Sequence, residues 1–276
     1  MQTISPKLDS LAAWNTATRL VSANREMLLA IAGVFFMLPG ILLSLMVTEP
    51  ELQPDATPEQ MWPVLQQFYI AALPWLIPAV LLSMSGTLAL QLVMGDPARP
   101  TVATAIRRGF ALMPSFLAAQ LLYGMALGLG LTVMSGLAAL SGNPAVVGAV
   151  ILAAVPAVLY FSIRLLLIPA VLAAENVRGP VRLLRRSWAL TRGQTGRLAV
   201  FVLLAALVFT LITGLIAGLI AVVLTFVAGE SVQLVLNAAV SSGFSAVGLL
   251  YFAAIQVAVH RQFAGPTPSE TAATFE

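Results

Sequence analysis

The chain has 276 residues, 59% of them apolar and 9% charged, with a mean hydropathy of +0.96. A soluble domain carries about 25% charged residues, so this composition cannot cover a water-facing surface and points to an integral membrane protein. No cysteine is present, which excludes disulfides, thiolate metal sites and cysteine nucleophiles.

Lys7, Arg19 and Arg25 precede the first apolar run. That leading region is too long for a signal peptide, and no small-residue cleavage site follows Val47, so an uncleaved first span is expected over 27–47. Ahead of it, Leu11, Trp14, Thr18 and Val21 line one side of a helix over 8–22, with Asp9, Asn15 and Arg19 on the other. The stretch 48–60 is an acidic, proline-containing loop, and Thr57-Pro58-Glu59 is placed to start a short helix leading into the second span, 68–93. Pro74 and Pro78 are expected to bend that span. A second amphipathic helix is predicted over 101–112, where Val102, Ile106 and Phe110 oppose Arg107 and Arg108.

From Gly109 to Ile163 there is no charge at all, and 55 residues exceed the ~20–25 that one span uses. Ser141-Gly142-Asn143-Pro144 is the turn hidden inside, which sets the third and fourth spans at 115–140 and 145–174. The fifth and sixth spans follow at 198–227 and 232–259, joined by a tight turn at Gly229-Glu230, and a loose polar tail follows His260.

Between the fourth and fifth spans lies the one strongly charged passage. With Pro180 at the first helical position, Arg182, Arg185, Arg186 and Arg192 fall within one arc, while Val181, Leu183, Leu184, Trp188 and Leu190 cover the other side. Gly193 is the expected stop. Such a helix, over 180–192, suits a membrane surface; the flanking apolar runs argue against the same helix lying on a soluble core.

An even number of spans puts both termini on one side. The opposite loops hold Glu49, Glu51, Asp55, Glu59 and Glu230 and no basic residue, so the termini are predicted to be cytoplasmic. Scattered at span ends in this way, the arginines do not argue for nucleic acid, despite the net charge of +3. Reporter fusions at Ala56 and at the C-terminus are expected to report opposite sides of the membrane, and same-side signals refute the six-span topology.

Ile106-Arg-Arg-Gly-Phe-Ala-Leu112 matches Leu184-Arg-Arg-Ser-Trp-Ala-Leu190 in character, and each precedes an inward-to-outward span. With the similar N-terminal stretch, this gives the expected fold class: an all-α integral membrane protein, six transmembrane helices in three repeats of an interfacial helix plus a two-span hairpin.

Arg164-Leu-Leu-Leu-Ile-Pro169-Ala-Val-Leu-Ala-Ala-Glu175, followed by Leu184-Arg-Arg-Ser187-Trp188-Ala-Leu190-Thr191-Arg192-Gly193, resembles a bacterial membrane domain often fused to glycerophosphoryl diester phosphodiesterases. The same pattern is similar to the YciC-like inner-membrane family. The resemblance implies a multi-pass bacterial inner-membrane protein. It brings no enzymatic activity with it, because the soluble phosphodiesterase domain, with its metal-binding carboxylates and histidines, has no counterpart here.

Arg164 is the one ionisable residue well inside a span, and such charges are costly enough to be functional candidates. Two roles stand for it: a structural one, bonding carbonyls freed by the prolines, or contact with a lipid or other ligand. Asn237, Ser241 and Ser245 recur every four residues as a polar stripe on the sixth helix, read as a packing device or, alternatively, as the lining of a pore. Gly124-x-x-x-Gly128 and Gly214-x-x-x-Gly218 offer small packing faces. His260, with no carboxylate near it in sequence, is expected to favour a helix end rather than bind a metal. No acid–base pair, phosphate loop or cofactor motif is found, so neither an enzyme nor a cofactor is expected. Three functions are weighed: a non-catalytic scaffold or lipid-contacting module whose arginines meet anionic headgroups, a transporter or channel for a small or lipid-like solute, and a membrane-embedded lipid enzyme. The first is favoured, with Arg164, Arg182, Arg185, Arg186, Trp188, Asn237, Ser241 and Ser245 as its contact candidates.

Overall fold

The computed structural model describes residues 7–47, 50, 57–96, 100–177, 179–227 and 229–265. Most of the acidic loop, Arg99, Arg178 and the polar tail lie outside the described residues. The described chain is helical, with no strand. In order come α1 (Ser10–Ala23), α2 (Arg25–Ala32), a π turn (Gly33–Met37), α3 (Leu38–Met46), α4 (Pro58–Gly95), α5 (Val102–Leu140), α6 (Pro144–Arg164), α7 (Ile168–Glu175), α8 (Pro180–Leu190), α9 (Thr195–Val227) and α10 (Glu230–Ala264). Six helical stretches are long and apolar enough to cross a membrane: Arg25–Met46, Glu59–Gly95, Val102–Leu140, Pro144–Glu175, Thr195–Val227 and Ser231–Ala264.

Local chemistry sets the ends. Thr57 and Gln60 form a capping box, so α4 begins at Pro58, and the expected lead-in helix and second span are one helix. Thr101 caps α5 by accepting from the Thr104 amide, and the helix continues through Pro114 without a break to Leu140. The segment 101–112 is therefore the first part of a 39-residue helix, not a separate element, and at 1.5 Å per residue that helix runs ~58 Å, well past a ~30 Å hydrocarbon layer. At the turn near position 142, Gly142 takes φ +64° and the Asn143 side chain caps α6 through the Ala145 amide at 2.9 Å.

Two prolines reshape the spans. Pro39 has no N–H for the Phe35 carbonyl, and the π turn ends just before it; the Ser83 hydroxyl reaches that carbonyl at 3.5 Å. Pro169 likewise cannot extend α6. The Ile168 amide shifts to the Leu165 carbonyl at 3.2 Å, three residues back, so the helix stops at Arg164 and restarts as α7.

Packing is concentrated at the end where the described termini meet. There the Asp9 backbone exchanges hydrogen bonds with the Gln262 side chain at 3.1 and 3.0 Å, and Arg261 donates to the Met94 carbonyl at 2.8 Å. Around these ties lie buried Ala13 and Ala17 of α1, Leu88, Leu90 and Leu92 of α4, Leu167 and Leu172 around α7, and Leu250 and Val259 of α10. The far halves of α5, α6 and α9 leave Met125, Leu129, Leu152, Leu215 and Phe226 exposed. Lipid tails are as apolar as leucine, so in hydrocarbon such faces gain nothing from the hydrophobic effect by coming together.

Close helix contacts use glycines other than those the spacing singled out. A Cβ at Gly109 would lie 2.8 Å from the Ser85 carbonyl oxygen, so only glycine lets the start of α5 sit against α4. Gly124, Gly128, Gly214 and Gly218 face open space, which corrects their reading as packing faces: their helices are exposed at that depth.

Candidate functional site

The break at Pro169 creates the polar centre of the molecule. Once Ile168 bonds to Leu165, the Arg164 carbonyl has lost its helical partner. It accepts instead from the hydroxyls of Ser187 at 2.9 Å and Thr191 at 3.1 Å, both buried and one turn apart on α8 and its exit. The end of α8 has the converse vacancy. The Arg192 amide bonds to Ala189, which leaves the Trp188 carbonyl to accept from Arg164 Nη1 at 3.1 Å. Thr191 Oγ1 lies 3.4 Å from the same nitrogen. The guanidinium sits 4.0 Å from the centre of the Trp188 ring and 5.7 Å from that of Tyr160.

Arg164 is thus 5% exposed, a cation at the negative end of α8 under an aromatic lid. The carbonyl it serves belongs to Trp188 and was not freed by a proline; the carbonyl a proline did free is its own. Its Nε has no hydrogen-bond partner among the described residues. Sequence reasoning missed Ser187, Thr191 and Tyr160 as its partners. The available signal was a pair of hydroxyls four residues apart among the buried leucines of α8.

The arginine arc divides. Arg186 turns inward and grips Glu175 with Nε at 2.7 Å and Nη2 at 3.0 Å. Glu175 also lies 3.0 Å from Nε2 of His260, so one carboxylate ties α7 to α8 and α10. This corrects the view of His260 as lacking a nearby carboxylate: Glu175 is 85 positions away in sequence and adjacent in space. Arg182 lies against Gly179, while Arg185 and Arg192 remain exposed. Trp188 packs on Arg164, Tyr160 and Phe161. The apolar side of α8, with Leu183 and Leu190 buried, is covered by protein, because α5 and α7 pack there.

The serine stripe is oriented differently from its packing and pore readings. Ser241 and Ser245 are exposed and Asn237 half-buried, while the neighbouring Ser242 is buried against Gly40. Gln256 is also buried; it accepts from Gln91 across the α4–α10 contact, and Gln91 Oε1 is left without a partner among the described residues.

A groove of about 690 Å³ opens between α5, α6 and α8, lined by Leu122, Phe161, Leu165, Trp188, Arg185 and Arg192 among others. Tyr123 and Ser162, 3.1 Å apart, join α5 to α6 beside it. Tyr123, Ala126 and Phe161 also line an adjoining apolar furrow of about 350 Å³ that continues to Leu131 and Met134. For chemistry the described residues offer little: no group of three or more His, Asp or Glu could hold a metal, and both oxygens of Glu175 are engaged. What the geometry provides is a basic, apolar-backed surface. The chain matches no family model, no curated protein and no solved structure.

Proposed function

We propose that the chain is a non-catalytic bacterial inner-membrane protein with cytoplasmic termini, a scaffold or lipid-contacting module that engages anionic headgroups. The observation that carries this reading is the ring of exposed basic side chains at one end. Lys7, Arg19, Arg25, Arg107, Arg182, Arg185, Arg192, Arg197 and Arg261 are all exposed, on segments that meet where the described termini meet. Each basic residue near an anionic surface contributes about 1 kcal/mol, so a few acting together retain lipid. The resemblance to the YciC-like family and to the phosphodiesterase-linked membrane domain supports the bacterial placement.

The threefold organisation belongs to the same proposal. Three small-then-aromatic pairs, Ala13-Trp14, Gly109-Phe110 and Ser187-Trp188, put their small residue in a buried position. Ser187 meets Arg164 on the second helix of the preceding hairpin, and Gly109 meets Ser85 in the same way. Trp14 stacks on Tyr251 of α10, which closes the cycle, at a centroid distance of 6.2 Å.

A transport reading needs a polar route, and Arg164 was its best mark. The Trp188 carbonyl and ring and the Thr191 hydroxyl engage the Arg164 guanidinium, and the larger cavities have mainly apolar walls. The test compares lipid retained by purified protein with solute flux in liposomes. Enrichment of phosphatidylglycerol over phosphatidylcholine, without flux, is expected. Equal retention of the two lipids, or protein-dependent flux, overturns the proposal.

A further inference from the structure

We propose that the groove between α5, α6 and α8 seats one anionic phospholipid, its phosphate held by Arg185 and Arg192 and an acyl chain laid along α5. This rests on the lipid-contact reading above and gives it a site. Arg185 on α8 and Arg192 in the turn that follows it both line the groove. Neither has a carboxylate partner among the described residues, whereas Arg186 between them is committed to Glu175. Two free guanidiniums beside an apolar trough match a phosphate with a hydrocarbon chain attached.

The trough also has the necessary length. Tyr123, Ala126 and Phe161 belong to both the groove and the furrow, so the two form one track. From Leu122 to Met134 it follows α5 for ~18 Å, about one leaflet of a ~30 Å hydrocarbon layer. A soluble phosphate would use the arginines and leave that track without purpose. A zwitterionic lipid would fill the track but carries a cation of its own near the arginines. Acyl chains are already in hydrocarbon before they bind, so discrimination falls to the headgroup pairs, each expected to change affinity by about tenfold or more.

The experiment titrates the full chain, in a neutral detergent, with dioleoylphosphatidylglycerol or dioleoylphosphatidylcholine and counts bound lipids by native mass spectrometry. One phosphatidylglycerol is expected to be retained with at least about tenfold preference. Arg185→Gln with Arg192→Gln should abolish that one retention, and Arg185→Lys with Arg192→Lys should keep most of it. Ala126→Trp, at an exposed wall position, should weaken it by obstructing the chain, and millimolar inorganic phosphate should not displace the lipid. Retention unchanged in both the glutamine pair and Ala126→Trp overturns the groove assignment, and a surviving overall preference for phosphatidylglycerol then leaves the broader reading standing. Displacement by phosphate, with Ala126→Trp silent, shows an anion site only. No preference for phosphatidylglycerol at all removes both.

Discussion

Removing the two hydroxyls that hold Arg164, by Ser187→Ala with Thr191→Val, is expected to destabilise the protein by about 2–5 kcal/mol, more than removing the arginine itself. The double substitution leaves the Arg164 carbonyl without either hydroxyl donor and takes one oxygen from beside the guanidinium, while the charge stays 5% exposed. Each buried group left unsatisfied costs about 1–3 kcal/mol, and more when it is charged. Hydrogen bonds between membrane helices average only about 0.6 kcal/mol, because the unfolded helices find other partners within the bilayer. That discount suits a neutral hydroxyl and applies poorly to a guanidinium, whose alternatives in hydrocarbon are few.

Arg164→Met removes the charge together with its desolvation cost. It forfeits the contact with the Trp188 ring, about 0.5–2 kcal/mol, and one donor to the Trp188 carbonyl, which Thr191 still reaches at 3.3 Å. A net loss of about 1–2 kcal/mol follows. Adding Arg164→Met to the hydroxyl double variant should recover part of its loss, because Thr191 Oγ1 lies beside the guanidinium and the two substitutions are coupled there. Thermal unfolding in a fixed detergent reads all of these variants. If Arg164→Met proves the most damaging, the guanidinium contributes more than its burial costs and this ranking is wrong.

Much of the helical layout was legible because its causes are local. Ser141-Gly142-Asn143-Pro144 carries its own positive-φ residue, cap and helix-starting proline, so the turn needs no distant partner. Pro169 was less legible, because Pro74, Pro78, Pro114 and Pro156 stand inside unbroken helices and a proline alone does not announce a break. The candidate site was less legible because its partners lie far apart in sequence. Arg164 meets hydroxyls 23 and 27 positions away, and His260 meets a carboxylate 85 positions away. Helical spacing puts residues on a face but does not say which face is covered. Ser241 and Ser242 are neighbours, yet the one in the periodic stripe is exposed and the one outside it is buried. The arginine arc failed in the same way: Arg182, Arg185 and Arg186 lie on α8 and Arg192 in the turn after it, and the position of Glu175 separates Arg186 from the rest.

Glu175→Ala is expected to cost about 2–3 kcal/mol, because one carboxylate joins three helices. The His260 side chain is only 6% exposed, so losing its partner leaves a buried ring nitrogen unsatisfied. Arg186 is different: with 42% of its side chain exposed it turns to water, and its share of the tie is discounted accordingly. Arg186→Ala should therefore cost about 1 kcal/mol and Arg186→Lys nearly as much, since an ammonium cannot reproduce the two-pronged grip. Glu175→Gln should fall between, keeping an oxygen for His260 while surrendering the charge that Arg186 grips. The order of unfolding temperatures, lowest for Glu175→Ala and highest for the Arg186 variants, follows from burial rather than from counting ion pairs. If Arg186→Ala matched Glu175→Ala, the contact with α8 would dominate and the α10 contact through His260 would add nothing. A loss confined to Glu175→Ala places the joint at His260, where α7 and α10 meet under the packed end of the bundle.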